Sequence, residues 1–206
     1  ERQRLMLQIG QWAMKEAARC ALRWHAMGLG ISPVAVNLST VQFQSVGFVE
    51  AVALVLAEDG DAREAASLLE LELTERMLMD DLGEVKHRLL RLKALGLGIA
   101  VDDFGTGYSS LGHLKELPID KIKIDRSFVH DLPGNRDSAA ITRAIVQLGL
   151  SLGLSVIAEG VENEAQRQFL AQQGCEQIQG LLIGAAMPAA KFEDWVKQRR
   201  EAERRA

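Results

Sequence analysis

The sequence is poor in several features that mark particular protein classes. It has two cysteines, Cys20 and Cys175, and their wide separation excludes a disulfide framework or a zinc knuckle. No uninterrupted run of eighteen apolar residues is present, so no membrane-spanning segment is predicted. Aromatic residues make up only 5%, which gives no stacking platform for single-stranded nucleic acid. The net charge of -4 provides no basic field, so neither a DNA nor an RNA polymer is expected as a partner.

The apolar content is that of a globular protein. Of the 206 residues, 48% are hydrophobic, enough for one sizeable core. The first residue is Glu1, and neither an initiator methionine nor a signal peptide precedes the first helical pattern. We therefore expect part of a longer protein in a reducing compartment, either in the cytoplasm or as the cytoplasmic part of a membrane-anchored protein.

Helical and β-rich patterns alternate along the chain. Apolar residues at three- and four-residue steps predict a first helix over residues 3–27. Six short β-rich runs follow: Val34–Leu38, Leu69–Thr74, Gly98–Asp102, Lys121–Ile124, Ser155–Ala158 and Gln177–Gln179. Helical patterns lie between and after them: Ser45–Glu58, Asp81–Leu95, Ser110–Leu117, Ser138–Leu152, Glu164–Gln173 and Phe192–Arg204. This alternation predicts an α/β protein with a parallel sheet.

Polar residues at the strand ends favour a barrel over an open doubly wound sheet. An open sheet gathers its chemistry at one switch point, whereas a barrel assembles it from the ends of many strands. Every predicted strand contributes here: Asn37, Glu72 with Thr74 and Glu75, Asp102 with Asp103, Lys123 with Asp125, Glu159, and Gln179. We therefore predict one modified (β/α)8 barrel domain over residues 1–206. It is partial at its N-terminus and lacks its first two strands, because six units are two short of eight.

The predicted cluster of carboxylates, an amide and an ammonium suits metal-assisted phosphodiester hydrolysis. Oxygen ligands of this kind bind hard divalent cations such as Mg²⁺ or Mn²⁺. Adjacent carboxylates at Asp102 and Asp103 can serve two ions at once, one of them bridging. Lys123 can hold the attacking water or neutralise a phosphate oxygen.

Each of these residues also has a simpler structural interpretation. Glu72 and Lys123 can lie on the solvent side of half-buried strands, and Asp102 and Asp103 can cap a turn. A barrel enzyme that stabilises an enolate with one Mg²⁺, with Lys123 as the base, is a further alternative. The histidines are predicted to have surface or packing roles: His25, His87, His113 and His130.

Five motifs in order resemble those of the EAL-domain cyclic di-GMP phosphodiesterases. They are Val36-Asn37-Leu38-Ser39, Glu72-Leu73-Thr74-Glu75, Asp102-Asp103-Phe104-Gly105-Thr106-Gly107-Tyr108-Ser109-Ser110-Leu111, Lys121-Ile122-Lys123-Ile124-Asp125 and Ala158-Glu159-Gly160-Val161-Glu162. The resemblance runs from about Leu7 to Pro188 and implies a modified (β/α)8 barrel. It implies hydrolysis of cyclic di-GMP to linear pGpG, supported by two Mg²⁺ or Mn²⁺ ions.

The resemblance also implies a role for each candidate residue. The metal ligands would be Asn37, Glu72 and Asp102 at one ion, with Asp102, Asp103 and Glu159 at the other. The catalytic set would be Lys123, which positions the nucleophilic water, with Glu159 and Asp103. Glu75 and the Asp-Phe-Gly-Thr-Gly loop would couple metal binding to a dimer interface, Glu162 would support the metal ligands, and Gln179 would touch the substrate or its waters. A homodimer within a larger sensor or GGDEF-containing protein is the expected assembly.

Two departures from the family pattern leave a second function open. The Glu-Ala-Leu motif, whose Glu completes the first metal site, is absent from this chain; Ala21-Leu22-Arg23 follows Cys20 and lies in the wrong helix. Leu181 stands where the family has an aromatic residue, and Ala185-Ala186 where it has a basic-proline pair. The alternative is a non-catalytic cyclic di-GMP receptor or regulatory module. For the 206 residues alone we expect poor activity and exposed strand edges.

Overall fold

A computed structural model of the chain describes residues 2–31, 33–58, 60–79, 81–107 and 111–205. Tyr108, Ser109 and Ser110 of the long acidic-glycine motif lie outside these residues, and with them the predicted start of the helix over residues 110–117. None of the helices in the described ranges has the length and apolar character needed to cross a membrane.

Strands and helices alternate through the described part of the chain. Six strands are present there: β1 (Val34–Asn37), β2 (Leu69–Thr74), β3 (Gly98–Phe104), β4 (Lys121–Ile124), β5 (Ser155–Ala158) and β6 (Gln177–Ile178). The helices are α1 (Arg2–Ala26), α2 (Thr40–Gln44), α3 (Phe48–Leu56), α4 (Ala62–Ser67), α5 (Leu82–Leu95), α6 (Leu111–Glu116), α7 (Arg126–Val129), α8 (Arg136–Ser151), α9 (Glu164–Gln172) and α10 (Ala189–Arg205). A 3-10 helix over Glu75–Met79 follows β2.

The strand order confirms the predicted fold class. The six strands form one sheet in the order β1-β2-β3-β4-β5-β6, so each strand neighbours the next one in the chain. The pairs β3–β4, β4–β5 and β5–β6 are parallel. A doubly wound sheet reverses its strand order at a switch point, whereas a (β/α) barrel adds its strands in sequence. The fold is therefore of the barrel type, with six strands in the described residues.

Short capped helices were not predicted from the sequence. Both α2 and α4 are too short to show an apolar period, and capping by side chains defines their starts instead. Ser39 caps α2 and forms a reciprocal capping box with Gln42, while Asp61 accepts from Arg63 N and Glu64 N in the first turn of α4. The predicted helix over 45–58 begins too early, because Gly47 has a φ of 76° in front of α3.

The chain divides into two compact units. The first comprises Glu1–Glu70, Leu95–Leu97 and Ala186–Ala206, and the second comprises Leu71–Ala94 and Gly98–Ala185. In the first unit, α10 packs on α1 through Glu193, which accepts a hydrogen bond from Trp24 Nε1 at 2.8 Å and forms an ion pair with Arg23. Also in this unit, Val34 N donates to Leu68 O at 2.8 Å, which joins the start of β1 to the residue preceding β2.

The second unit has an apolar core below the strand ends. Leu71, Leu73, Ile99, Ile122 and Ile124 are fully buried on neighbouring strands. Along β2 and β4 these apolar side chains alternate with polar ones, so one face of each strand is apolar and the other carries its polar residues. The polar residues of β2, β3 and β4 that lie in this unit are Glu72, Thr74, Asp102, Asp103, Lys121 and Lys123.

Candidate active site

Four strands of the second unit bring charged side chains together around Lys123. The ammonium Nζ of Lys123 lies 2.6 Å from Glu72 Oε1, 2.5 Å from Glu159 Oε1 and 3.3 Å from Asp102 Oδ1. Glu72 lies on β2, Asp102 on β3 and Lys123 on β4, while Glu159 directly follows β5. We call these four residues the charged cluster. The prediction that these strand ends converge is confirmed for all four.

Burial excludes the solvent-facing interpretation of Glu72 and Lys123. The whole residues are 5% and 4% exposed, respectively. Charged residues are seldom buried to this extent unless they are paired. In β4 the apolar side chains of Ile122 and Ile124 alternate with Lys123, which places the lysine on the face opposite to them. The same alternation separates Glu72 from Leu71 and Leu73.

The charged cluster carries an excess of negative charge. Three carboxylates and one ammonium leave a net charge of -2 when all are ionised. Burial raises the pKa of Glu72, although its hydrogen bond and charge interaction with Lys123 oppose the shift. Burial alone would lower the pKa of Lys123, but the hydrogen bonds to Glu159 and Glu72 outweigh it and raise the pKa well above its usual range. Lys123 therefore remains a cation at physiological pH.

Adjacent aspartates lie in an irregular part of β3. The register with β4 pairs Val101 with Ile122 and Phe104 with Ile124, and it shifts between these pairs. Asp103 has a φ of 53°, rare for a residue other than glycine, and its N–H donates to Asp102 Oδ1 at 3.0 Å. Burial raises the pKa of Asp103, and Asp102 and Asp125 add to the shift as neighbouring negative charges.

Glu75 organises the loop that follows the aspartates. Its Oε2 atom accepts hydrogen bonds from Gly105 N at 2.9 Å and from Gly107 N at 3.2 Å, and the residue is 2% exposed. A Cβ atom on Gly107 would lie 2.9 Å from Glu75 Oε1, so the loop approaches as closely as a glycine allows. An open cavity of about 620 Å³ lies here, lined by Thr74, Glu75, Arg76, Met79, Asp103, Thr106 and Gly107.

The segment after β5 carries Glu159 and Glu162 and is held by backbone contacts. Val161 N donates to Gln179 O, and Leu182 N donates to Val161 O, both at 3.0 Å. Gly180 is required here, since a Cβ atom on it would lie 2.2 Å from Val161 O. Glu162 and Gln179 both have exposed side chains, and neither is in the charged cluster. Gln179 contributes its backbone to the turn; its contact with substrate stays a prediction.

One buried residue of this region was missed in the sequence. Gln166 on α9 is 1% exposed, and its Oε1 atom accepts from Glu162 N at 2.7 Å and from Asn163 N at 3.2 Å. The signal that could have revealed it is the spacing of Asn163 and Gln166, which form a capping box. Gln166 lies on a helix, whereas the predicted site residues lie at or near strand ends.

Asn37 belongs to the other compact unit. It ends β1, and its side chain is exposed. Its place among the metal ligands stays a prediction.

The donors of the charged cluster fit a hard divalent cation in chemistry. Among the described residues, no group of three or more His, Cys, Asp or Glu side chains is arranged to hold a metal ion. The carboxylates of the cluster turn instead toward Lys123 Nζ. Their oxygens are nevertheless the ligand type of Mg²⁺ and Mn²⁺, and the net charge of -2 is what a divalent cation would neutralise. The histidines are not candidates, since all four are exposed as predicted: His25, His87, His113 and His130.

Comparison with known proteins places this arrangement in a family. The family model for the EAL domain matches residues 1–186. The bifunctional diguanylate cyclase/cyclic di-GMP phosphodiesterase MucR of Pseudomonas aeruginosa is 46% identical over 192 residues, which are 93% of this chain and 28% of MucR. The signaling protein YkoW of Bacillus subtilis is 43% identical over 192 residues, 93% of this chain and 24% of YkoW. The chain thus spans about a quarter of these curated relatives.

A solved structure is similar to this chain over most of the length of both. The PaMucR phosphodiesterase in complex with c-di-GMP matches with a TM-score of 0.85 and 45% identity, covering 91% of this chain and 75% of that one. Sequence, strand order and strand-end chemistry lead to one conclusion: the chain belongs to the EAL domain family.

Proposed function

We propose that this chain is the phosphodiesterase domain that opens cyclic di-GMP to linear pGpG. The observation that carries the proposal is the buried contact of Lys123 with three carboxylates from different strands. The support from comparison is the 45% identity to a phosphodiesterase solved with c-di-GMP bound.

Two Mg²⁺ or Mn²⁺ ions are part of the proposal. Asn37, Glu72 and Asp102 would hold one ion, and Asp102, Asp103 and Glu159 would hold the other. Such ions, when bound, lower the pKa of a coordinated water and neutralise charge on a phosphate. The excess negative charge of the charged cluster supports this assignment, because removal of one carboxylate or addition of a cation would relieve it.

Lys123 and the carboxylates have different roles in the proposed reaction. Lys123 is held as a cation by Glu159 and Glu72, so it cannot act as the base that the enolate alternative requires. It instead orients the attacking water or an equatorial phosphate oxygen. A carboxylate at Glu159 or Asp103 accepts the proton as the water oxygen bonds to phosphorus. The phosphorus–O3′ bond breaks, and the leaving O3′ takes up a proton.

The remaining site residues act through loops. Glu75 holds the backbone of Gly105 and Gly107, and we propose that this loop links the site to a homodimer interface. Glu162 supports the segment that carries Glu159. The domain would work in the cytoplasm, within a larger sensor or GGDEF-containing protein. Both cysteines are free and buried, in keeping with a reducing compartment.

The test is turnover by the natural protein that contains these 206 residues. The purified protein is incubated with cyclic di-GMP and Mg²⁺ or Mn²⁺, and products are separated by chromatography. We expect linear pGpG, and we expect Asp102→Asn to abolish it while the exposed Asp131→Asn, a matched control, leaves it unchanged. If calorimetry shows binding and the dinucleotide is recovered intact, the domain is a receptor. If neither binding nor product is found, both proposals fail.

A further inference from the structure

We propose that Gln166 is a positioning residue that ties the segment carrying Glu159 to the segment that follows Lys123. The effect of Gln166 on catalysis rests on the proposed function, whereas its role in holding the two segments together rests on its hydrogen bonds. Gln166 lies in neither the charged cluster nor the cavity beside Asp103, and none of the five motifs includes it.

The side chain of Gln166 bridges two segments with its two ends. The Oε1 atom accepts from Glu162 N at 2.7 Å and from Asn163 N at 3.2 Å, while Nε2 donates to His130 O at 2.9 Å. His130 is the C-cap residue of α7, and Asp125 at the other end of α7 comes two residues after Lys123. The amide therefore connects the turn after β5 with the C-terminal end of α7, the helix that follows β4.

The two segments that Gln166 joins lie close in sequence to Glu159 and to Lys123. Glu162 N is three residues from Glu159, whose Oε1 lies 2.5 Å from Lys123 Nζ. The intervening Gly160 has a φ of 68°, and a Cβ atom on it would lie 2.6 Å from Arg126 Cβ. This segment thus rests against the first residue of α7 at Gly160 and is tied to the last turn of α7 through Gln166. Its displacement would move the Glu159 carboxylate relative to the ammonium.

An amide is the side chain that this position needs. A capping box is satisfied equally by Glu or Gln, because only an acceptor for the N-cap N–H is required. Here the same side chain must also donate to a carbonyl, which an ionised carboxylate cannot do. Gln166 is 1% exposed, so a carboxylate would in addition be buried facing His130 O. The hydrogen bond from Gln166 Nε2 to His130 O therefore distinguishes a positioning residue from a residue that only caps the helix.

The experiment compares three variants of the natural protein that contains this chain. Gln166→Met keeps the length of the side chain but removes both polar ends, and Gln166→Glu keeps the acceptor and removes the donor. Leu170→Ala is the matched control, because Leu170 is fully buried on the same helix and is not part of the bridge. Circular dichroism and urea unfolding establish that each variant is folded and how much stability it has lost.

Three readouts separate positioning from stability. We expect Gln166→Met and Gln166→Glu to lower kcat and the affinity for Mn²⁺ by about 10- to 100-fold, with KM little changed, as is typical when a supporting contact of a metal site is lost. Hydrogen exchange at the Glu162 and Asn163 amides should accelerate in Gln166→Met. Leu170→Ala should lose stability but keep kcat, Mn²⁺ affinity and the protection of these two amides.

The proposal is overturned if Gln166→Glu matches the unaltered protein, since the donor bond to His130 would then be irrelevant. It is also overturned if Leu170→Ala and Gln166→Met lose kcat equally at equal stability. Should the unaltered protein have no phosphodiesterase activity, the proposed function fails by itself. In that case Mn²⁺ affinity, measured by electron paramagnetic resonance, and amide exchange still decide the role of Gln166.

Discussion

Replacing Lys123 with methionine should destabilise the domain strongly at neutral pH. The ammonium contacts oxygens of Glu72 and Glu159 at 2.6 and 2.5 Å, and at an effective dielectric constant of about 20 each contact has a gross Coulomb energy of about 6 kcal/mol. Desolvation offsets most of this energy. Removal of one partner from a buried ion pair typically costs about 3–5 kcal/mol, because the remaining charges are left without compensation.

The loss in Lys123→Met should shrink as the pH falls. Burial already raises the pKa of Glu72, and without the ammonium the opposing hydrogen bond and charge interaction with Lys123 are lost, so this pKa lies further above its value in the unfolded chain. The folded variant then binds more protons, so its free energy of unfolding relative to the unaltered protein rises as the pH is lowered from 7 toward 5. Added Mg²⁺ should restore part of the stability at pH 7, since it replaces the missing positive charge.

Urea unfolding followed by circular dichroism at pH 7 and pH 5 measures both effects. The matched control is Lys93→Met, because Lys93 pairs with Asp120 at 2.7 Å on the surface, where both side chains are at least one-third exposed. An exposed pair contributes about 0–1 kcal/mol, so the control should unfold nearly as the unaltered protein does. If Lys123→Met is as stable as the control, or equally unstable at both pH values, the electrostatic description of the charged cluster is wrong.

Three further outcomes follow from the same contacts. Glu72→Gln should raise the Tm measured in the absence of metal, because it removes a buried negative charge while the amide oxygen still accepts from Lys123. A lower Tm would contradict this. The same variant should bind Mn²⁺ more weakly. Burial raises the pKa of Cys175 to about 11, so stability should fall by about 2 kcal/mol between pH 9 and 11, where the unfolded thiol ionises more fully than the folded one, and Cys175→Ala should remove this dependence in urea titrations. Gly105→Ala should destabilise by at least about 1 kcal/mol, because φ is 96° and the new Cβ would lie 3.0 Å from Phe128; an unchanged urea midpoint would refute this.

The strands and the charged cluster could be predicted because their signals are local. The runs Leu69–Thr74, Lys121–Ile124 and Ser155–Ala158 coincide with β2, β4 and β5, since short runs rich in Leu, Ile and Val, with apolar residues at alternate positions in the first two, are typical of strands. Lys123 and Glu72 stand out within such runs. Their convergence then follows from parallel strands in sequential order, which place all C-terminal ends on one side.

What escaped prediction depends on contacts between distant segments. Gln166 looks like a helix cap in sequence, and its bond to His130, 36 residues away, is visible only in the fold. The sequence predicts that Lys123 and the carboxylates converge, but it does not predict that Lys123 Nζ lies within 3.3 Å of three of them. The positive φ of Asp103 and the shifted register around it cannot be predicted from composition or spacing, because both depend on how β3 pairs with β4.

The irregularity in β3 lets two consecutive carboxylates occupy one level of the sheet. From Val101 to Phe104 the strand advances three residues while β4 advances two, from Ile122 to Ile124. Deleting one aspartate would bring the two strands back into step, so the hydrogen-bond ladder would close without it. The doubled aspartate is therefore an addition that the fold tolerates rather than one it needs, and a relative with a single aspartate here would keep the fold while losing one of the two carboxylates.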